Sequence, residues 1–340
     1  MQRIIMHDVG DGNHVDIVPE WRRSGLKVDF GTNSDKKKLF NDCGLLDWIY
    51  PLRFGRSFML SHFHADHYNG LIELLRHANH EHFCLGFRKL YYPRFPTFPN
   101  STVIAKQILY YNRLLLGDYS GSQQYDLIRI VSKLNRRRFT SIPLSQGDLI
   151  QDSSMEAEVL WPPRTIANNS FNRTVERVIG RFEETISHYP ELRDQYVGMN
   201  GVPSEHGESE FNPEDLSNLS EPLRNVPQEV VELGVPLRNI ANRLSIAFLS
   251  GRHILFLGDL ENYEIYSVVK YLKKIRNFNH SEFMIAPHHG THWQASMINI
   301  FANHILVSNG PKMIAKFKQE YKQISNRVHS TFLEGTVVLG

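Results

Sequence analysis

Hydrophobic positions along the chain fall into two patterns. Short apolar runs end abruptly in polar residues: Phe58-Met59-Leu60 before Ser61, Ile254-Leu255-Phe256-Leu257 before Gly258-Asp259, and Phe283-Met284-Ile285-Ala286 before Pro287-His288. Continuous runs of this length read as buried strands. Spacing near 3.6 predicts helices over residues 71–75, 104–116 and 125–134. Residues 171–196 alternate charge at helical spacing and predict one exposed helix or two. Pro93, Pro96 and Pro99 predict a loop before the first long helix. On this pattern the strand over residues 58–60 passes into the helix over 71–75.

Composition narrows the class. The 340 residues are 41% hydrophobic and 22% charged, ordinary globular material for one large domain or two small ones. Two cysteines, Cys43 and Cys84, support neither a disulfide framework nor a thiolate zinc site. No apolar run reaches the roughly 18 residues of a membrane-spanning helix. Asp8 interrupts the apolar start at once, so no signal peptide is expected and a cytoplasmic location is. The net charge of +2 selects no partner. The count that changes the picture is 17 histidines.

Their positions carry the chemistry. Ser61-His62-Phe63-His64-Ala65-Asp66-His67 places three His and one Asp where a strand passes into a helix. His62 and His64, two apart, point to one side of an extended chain. Asp66 and His67, at the turn, can face a second point a few Å away. Imidazole suits zinc, and carboxylate adds charge. Two ligand groups so close suggest two divalent ions, Zn2+ or Mn2+, about 3.5–4 Å apart and sharing a hydroxide. Asp259 leaves one apolar run and His288-His289 leaves another. Singly, Gly258-Asp259 reads as an ordinary turn and His288-His289 as a solvated loop. Three strand ends carrying His or Asp toward one edge form an active-site pattern.

Together these residues resemble the metallo-β-lactamase superfamily, and most of all its ComEC-like branch in a soluble, stand-alone form. The resemblance extends in family order through His7-Asp8-Val9-Gly10-Asp11-Gly12-Asn13, Lys27-Val28-Asp29-Phe30-Gly31-Thr32, Glu158-Val159-Leu160-Trp161-Pro162-Pro163, Asn242-Arg243-Leu244-Ser245-Ile246, Pro287-His288-His289-Gly290-Thr291 and Leu306-Val307-Ser308-Asn309-Gly310. It implies an α/β fold, a four-layer αββα sandwich with metals at one edge. It assigns His62 and His64 to one metal, Asp66, His67 and His289 to the other, and Asp259 to the bridge. His288 would lie beside the metals and protonate or stabilise a leaving group, so that His288, Asp66 and Asp259 carry catalysis. Asp29 would orient a ligand, and Asp8 and Gly10 would shape a turn. A further His that most of the superfamily gives the first metal is absent at Trp161-Pro162-Pro163-Arg164. Asn242 substitutes for it weakly, with His188 and His206 in reserve. His329 is a candidate contact to metal or substrate, weighed against a plain surface His.

On this reading residues 1–340 form a single domain with two insertions. Residues 84–140 carry ten basic residues against two acids, a local charge of +8, interleaved with aromatics such as Tyr91, Tyr92, Phe98, Tyr110 and Tyr111. That mixture suits a nucleic acid, with Arg136, Arg137 and Arg138 as candidate contacts; the alternative is a helical cap with an aromatic core. Residues 166–237 hold a helical part, then an acidic stretch over 201–234 of charge −7, read as a flexible loop or a contact for a protein partner. The expected function is cleavage of phosphodiesters by a dinuclear hydrolase through the shared hydroxide, most of all a DNA or RNA nuclease. A small-molecule phosphodiesterase, esterase or lactonase shares every ligand. A catalytically weak regulatory or binding module is a third reading. The remaining histidines, such as His77, His80 and His82, read as surface.

Overall fold

The computed structural model describes residues 2–19, 25–34, 36–41, 56–77, 85–116, 126–135, 138–152, 155–199, 226–251 and 253–340. Cys43, Cys84, His80, His82, His206, Arg136, Arg137 and most of the acidic stretch lie outside these residues, as does the His77 side chain.

Fourteen strands make two seven-stranded mixed sheets among the described residues. The first contains β1 (Gln2–Met6), β2 (Gly12–Pro19), β3 (Leu26–Thr32), β4 (Arg56–Met59), β5 (Phe87–Pro93) and β6 (Thr140–Leu144), with β14 (Val337–Leu339) beside β1. The second runs in reverse chain order from β13 (Ser325–Ser330) through β12 (Phe301–Val307), β11 (His280–Ile285), β10 (Ile254–Phe256), β9 (Ala247–Ser250) and β8 (Glu156–Trp161) to β7 (Leu149–Gln151).

Alternation along each strand builds the layers, because successive side chains leave a strand on opposite faces. Val15, Ile17, Leu26 and Val28 point inward from the first sheet and meet Phe248, Ile254, Phe256 and Ile285 from the second. Phe30, Phe58, Leu60 and Leu90 point outward and are covered by the helices Asn69–His77, Ser101–Leu116, Asp126–Asn135 and Asn169–Ser187. The outer face of the second sheet packs Leu255, Met284 and Ile305 against the helix Asn262–Arg276. The architecture is the four-layer αββα sandwich that the resemblance implies. No helix among the described residues is long and apolar enough to cross a membrane.

The segment with charge +8 contains more of the frame than its composition suggests. Its residues Phe87–Pro93 are β5, paired in parallel with β4 and β6. Tyr91, Tyr92, Phe98, Tyr110 and Tyr111 are buried, and the Tyr110 hydroxyl donates to the Leu192 carbonyl oxygen at 2.7 Å. Those aromatics are core, so they present no stacking surface. Arg138 is exposed.

The region expected as an exposed helix is two helices, Asn169–Ser187 and Pro190–Gly198, with the break at Pro190, which lacks an N–H to continue the ladder. The first is not exposed all round. Phe171, Val175, Val178, Phe182 and Ile186 are buried along one stripe, while Asn168 caps the start by accepting from the Ser170 and Phe171 amides.

His14 also departs from a surface reading. It is fully buried, stacks on His7 at 4.1 Å, and lies 3.2 Å from an Asp16 oxygen. Lys27 Nζ sits 2.6 Å from the other Asp16 oxygen. Burial, then the neighbouring His7, pushes the His14 imidazole down to about 3.

Candidate metal centre

The candidate ligands leave the C-terminal ends of three strands on the same edge of the sandwich. β4 runs into the loop carrying His62 and His64, then into the 3-10 turn Ala65–His67. β10 is followed by Gly258 and Asp259, and β11 by the turn Pro287–Gly290. Gly258 has φ +53, and a Cβ there would lie 2.7 Å from the Ile246 carbonyl oxygen. At Gly31, which ends in β3, a Cβ would lie 2.3 Å from the Asp66 carbonyl oxygen. The ligand loop therefore rests directly on the strand backbone.

Six predicted residues come together. One nitrogen each from His62, His64 and His67 lie within 4.8 Å of one another, and donor atoms of Asp66, His67 and His289 do the same. Asp259 Oδ2 lies 3.5 Å from His67 Nε2 and 3.6 Å from His289 Nε2. His64 Nδ1 contacts Asp66 Oδ1. The rings of His62 and His67 meet edge to face at 4.1 Å.

Asp29 shows how the ligands are aimed. It is fully buried, with φ 57, and accepts from the Ser61 amide and hydroxyl at 2.7 Å and from Asn13 at 2.8 Å. His67 Nδ1 lies 2.8 Å from Asp29 Oδ2. A carboxylate only accepts, so that His67 nitrogen carries the proton and Nε2 faces Asp259. His289 is fixed in the same way, with Nδ1 donating to the Ser308 carbonyl oxygen at 2.8 Å. Asn33 donates to Asp66 Oδ2 at 2.6 Å, leaving Oδ1 toward the centre.

Charge follows geometry. Burial opposes the charge of Asp66 and Asp259, but the surrounding histidines outweigh it, beginning with His64 for Asp66 and His67 for Asp259. Both carboxyls are held below their usual range. Burial also opposes a charged His67, yet Asp259 and Asp29 raise it well above an ordinary imidazole. His62 is driven down by burial and then by His67.

The donor set fits a divalent cation. His62 Nε2 and His67 Nε2 are buried with no hydrogen-bond partner. Leaving a buried polar atom unmatched costs about 1–3 kcal/mol. A cation drawn to imidazole and carboxylate supplies what both lack, with Asp66 and Asp259 beside them.

The other predicted residues have different surroundings. His288 is at the rim with a left-handed backbone, φ 49 and ψ 52, followed by His289 at φ 57. Such values cost a non-glycine residue about 1–3 kcal/mol. Burial pushes the His288 imidazole down to about 4. Asn242 is buried with neither amide atom in a regular hydrogen bond. His329 is on β13, where Nε2 lies 3.1 Å from His304 Nδ1 and Nδ1 lies 3.0 Å from Glu334. None of those partners is a ligand in the cluster. His188 caps the end of the helix Asn169–Ser187.

Sequence reading missed Ser61, Asn33, Glu261 and His292. Ser61 precedes the His cluster directly and was the most legible of the four. Glu261 follows Asp259 by two residues, and its Oε2 lies 2.9 Å from His292 Nε2.

No protein-family model and no curated protein matches the chain. Among solved structures, the metallo-β-lactamase fold protein YhfI from Bacillus subtilis aligns with TM-score 0.41 and 8% identity over 99% of each chain. A long form RNase Z from yeast aligns with TM-score 0.39 and 11% identity over 91% of this chain and 37% of its own. A protein of unknown function from Enterococcus faecalis V583 gives TM-score 0.32 and 12% identity over 84% and 49%.

Proposed function

We propose that this chain is a metal-dependent hydrolase of phosphodiesters, with a nucleic acid as the leading substrate class and two divalent ions, Zn2+ or Mn2+, as cofactors. The observation that carries the reading is the convergence of His62, His64, Asp66, His67, Asp259 and His289, with two imidazole nitrogens buried and unmatched. His62 and His64 would hold one ion, Asp66, His67 and His289 the other, and Asp259 would reach both. Such a pair of ions supplies Lewis acidity, an acidified water and neutralisation of phosphate charge. The chain's own residues set the rest. Asp29 and Ser308 fix the tautomers of His67 and His289, and Asn33 turns Asp66. His288 stands at the rim as the candidate proton donor to a leaving group.

Basic side chains in residues 84–140, Arg138 among them, favour a polyanion through phosphate contacts. Burial of Tyr91, Tyr92, Phe98, Tyr110 and Tyr111 favours a second reading, a small phosphodiester or ester, because base stacking on those rings is lost. One experiment separates the two. Metal-loaded protein is incubated with labelled DNA, labelled RNA and bis-p-nitrophenyl phosphate. The nuclease reading expects cleavage of a nucleic acid, lost in folded Asp66→Ala and His64→Ala. Cleavage of the small ester alone selects the second reading. No hydrolysis of any substrate, or full activity in the variants, overturns both.

A further inference from the structure

We propose that Glu261, His288 and His292 form a further divalent-cation site, of zinc type, at the rim of the metal centre. Glu261 precedes the helix Asn262–Arg276, His288 lies in the turn after β11, and His292 follows that turn. One donor atom from each lies within 4.8 Å of the others. Two imidazoles and one carboxylate are a donor set that zinc takes with one position open.

The distances fit a hydrogen bond at one histidine and leave the other open to a cation. Glu261 Oε2 is 2.9 Å from His292 Nε2, and Oε1 is 3.7 Å from His288 Nδ1. Ligand atoms around a tetrahedral zinc with bonds of about 2.1 Å stand about 3.4 Å apart. At 3.7 Å, His288 makes no hydrogen bond to Glu261, and its Nδ1 is buried with no hydrogen-bond partner. A plain His–Glu pair therefore satisfies His292 and leaves His288 unmatched, whereas a cation between the three satisfies both. The His288 and His292 rings are stacked at 4.1 Å, which aims both at the same carboxylate. The Asn242 side chain lies against Glu261.

Access also favours this cluster. Side-chain exposures of 25% for Glu261, 18% for His288 and 24% for His292 leave a path for an ion. The similar set His7, His14 and Asp16 is different: Lys27 Nζ, 2.6 Å from Asp16, already supplies its positive charge, and its side chains are almost wholly buried. That set is a structural network. The inference does not rest on the hydrolytic reading, since these three side chains would take an ion whether or not the neighbouring centre cleaves anything.

The test is equilibrium dialysis of the full chain against Zn2+, with bound metal counted by plasma emission. His292→Ala and Glu261→Gln are each compared with their parent, both in the wild-type chain and in a His67→Ala background that cripples the neighbouring centre. Each folded variant is expected to bind one equivalent less than its parent in both backgrounds. An unchanged count overturns the proposal, and because each variant is compared with its own parent in a chain whose neighbouring centre is weakened, failure of the hydrolytic centre is read separately. If one variant loses its folded circular dichroism spectrum, the other decides. In the wild-type chain, zinc is expected to protect His292 from diethyl pyrocarbonate, read by mass spectrometry. Equal modification with and without zinc is the contrary result.

Discussion

Asp29→Asn isolates the aiming of a ligand from the ligand itself. The substitution keeps the shape of the side chain, and asparagine accepts the left-handed backbone at φ 57 as readily as aspartate. What changes is the number of acceptors. Asp29 Oδ1 takes the Ser61 amide, and Oδ2 takes Asn13, the Ser61 hydroxyl and His67 Nδ1. An amide has one oxygen, so its NH2 must face at least one of these donors. A buried donor without an acceptor costs about 1–3 kcal/mol, which sets the expected loss of stability in urea unfolding. The larger consequence is for metal. His67 loses the partner that keeps its proton on Nδ1 and its Nε2 toward Asp259. Removing the partner of a metal-binding histidine weakens metal affinity roughly 10–100-fold, or about 1.4–2.8 kcal/mol. Competition for Zn2+ with a chromophoric chelator measures this directly. A folded Asp29→Asn chain that binds zinc as tightly as the wild type refutes the assigned role.

Three further outcomes follow from other parts of the fold. Gly31→Ala places a methyl 2.3 Å from the Asp66 carbonyl oxygen, a backbone atom that must move; zinc binding in the same competition assay should fall while the circular dichroism spectrum persists, and unaltered binding would contradict the close approach. Phe182→Ala should cost about 3–5 kcal/mol in urea unfolding, as for a large buried aromatic cut to a methyl, because Phe182 is fully buried and packs edge-on to Tyr196 at 5.1 Å; a loss under 1 kcal/mol, roughly what surface changes give, would put that helix face in solvent. His14 gives a pH signature. Its folded imidazole is held near 3 against 6.5 when unfolded, so below pH 6.5 the unfolded chain takes up a proton that the folded chain does not. Its share of stability is whole above that pH and shrinks as pH falls toward 3. Between pH 7 and 5 the loss is about 2 kcal/mol, and His14→Gln should remove that part of the slope; an unchanged slope would be inconsistent with a neutral buried His14.

The convergence of the candidate ligands was legible because their spacing and their placement at strand ends are local. His62 to His67 lie within one strand-to-helix passage, and the apolar runs before Asp259 and His289 mark strands of known length. The layered fold was legible only through the resemblance of the ordered motifs, because β2 and β3 are buried along nearly their whole length and show no alternation of buried and exposed positions. What composition could not show was orientation. Tyr110 and Tyr111 sit among basic residues in the chain, yet the helix Ser101–Leu116 turns both inward. β5 was obscured by the prolines that follow it, although Pro93 ends the strand and Arg94 makes the next backbone bond to Leu144. Glu261 and His292 escaped notice because they meet only through the start of one helix and the loop after β11. His329 follows the other motifs in chain order, but β13 places it beside His304 and Glu334 instead.

Six side chains gather at one edge of the sandwich, and we propose that they hold divalent ions. Crystals of the full chain grown with Zn2+ and recorded on either side of the zinc absorption edge test it without recourse to any substrate. Two anomalous peaks are expected between His62, His64, Asp66, His67 and His289, both within reach of Asp259. Well-ordered side chains at those positions with no peak among them would contradict it.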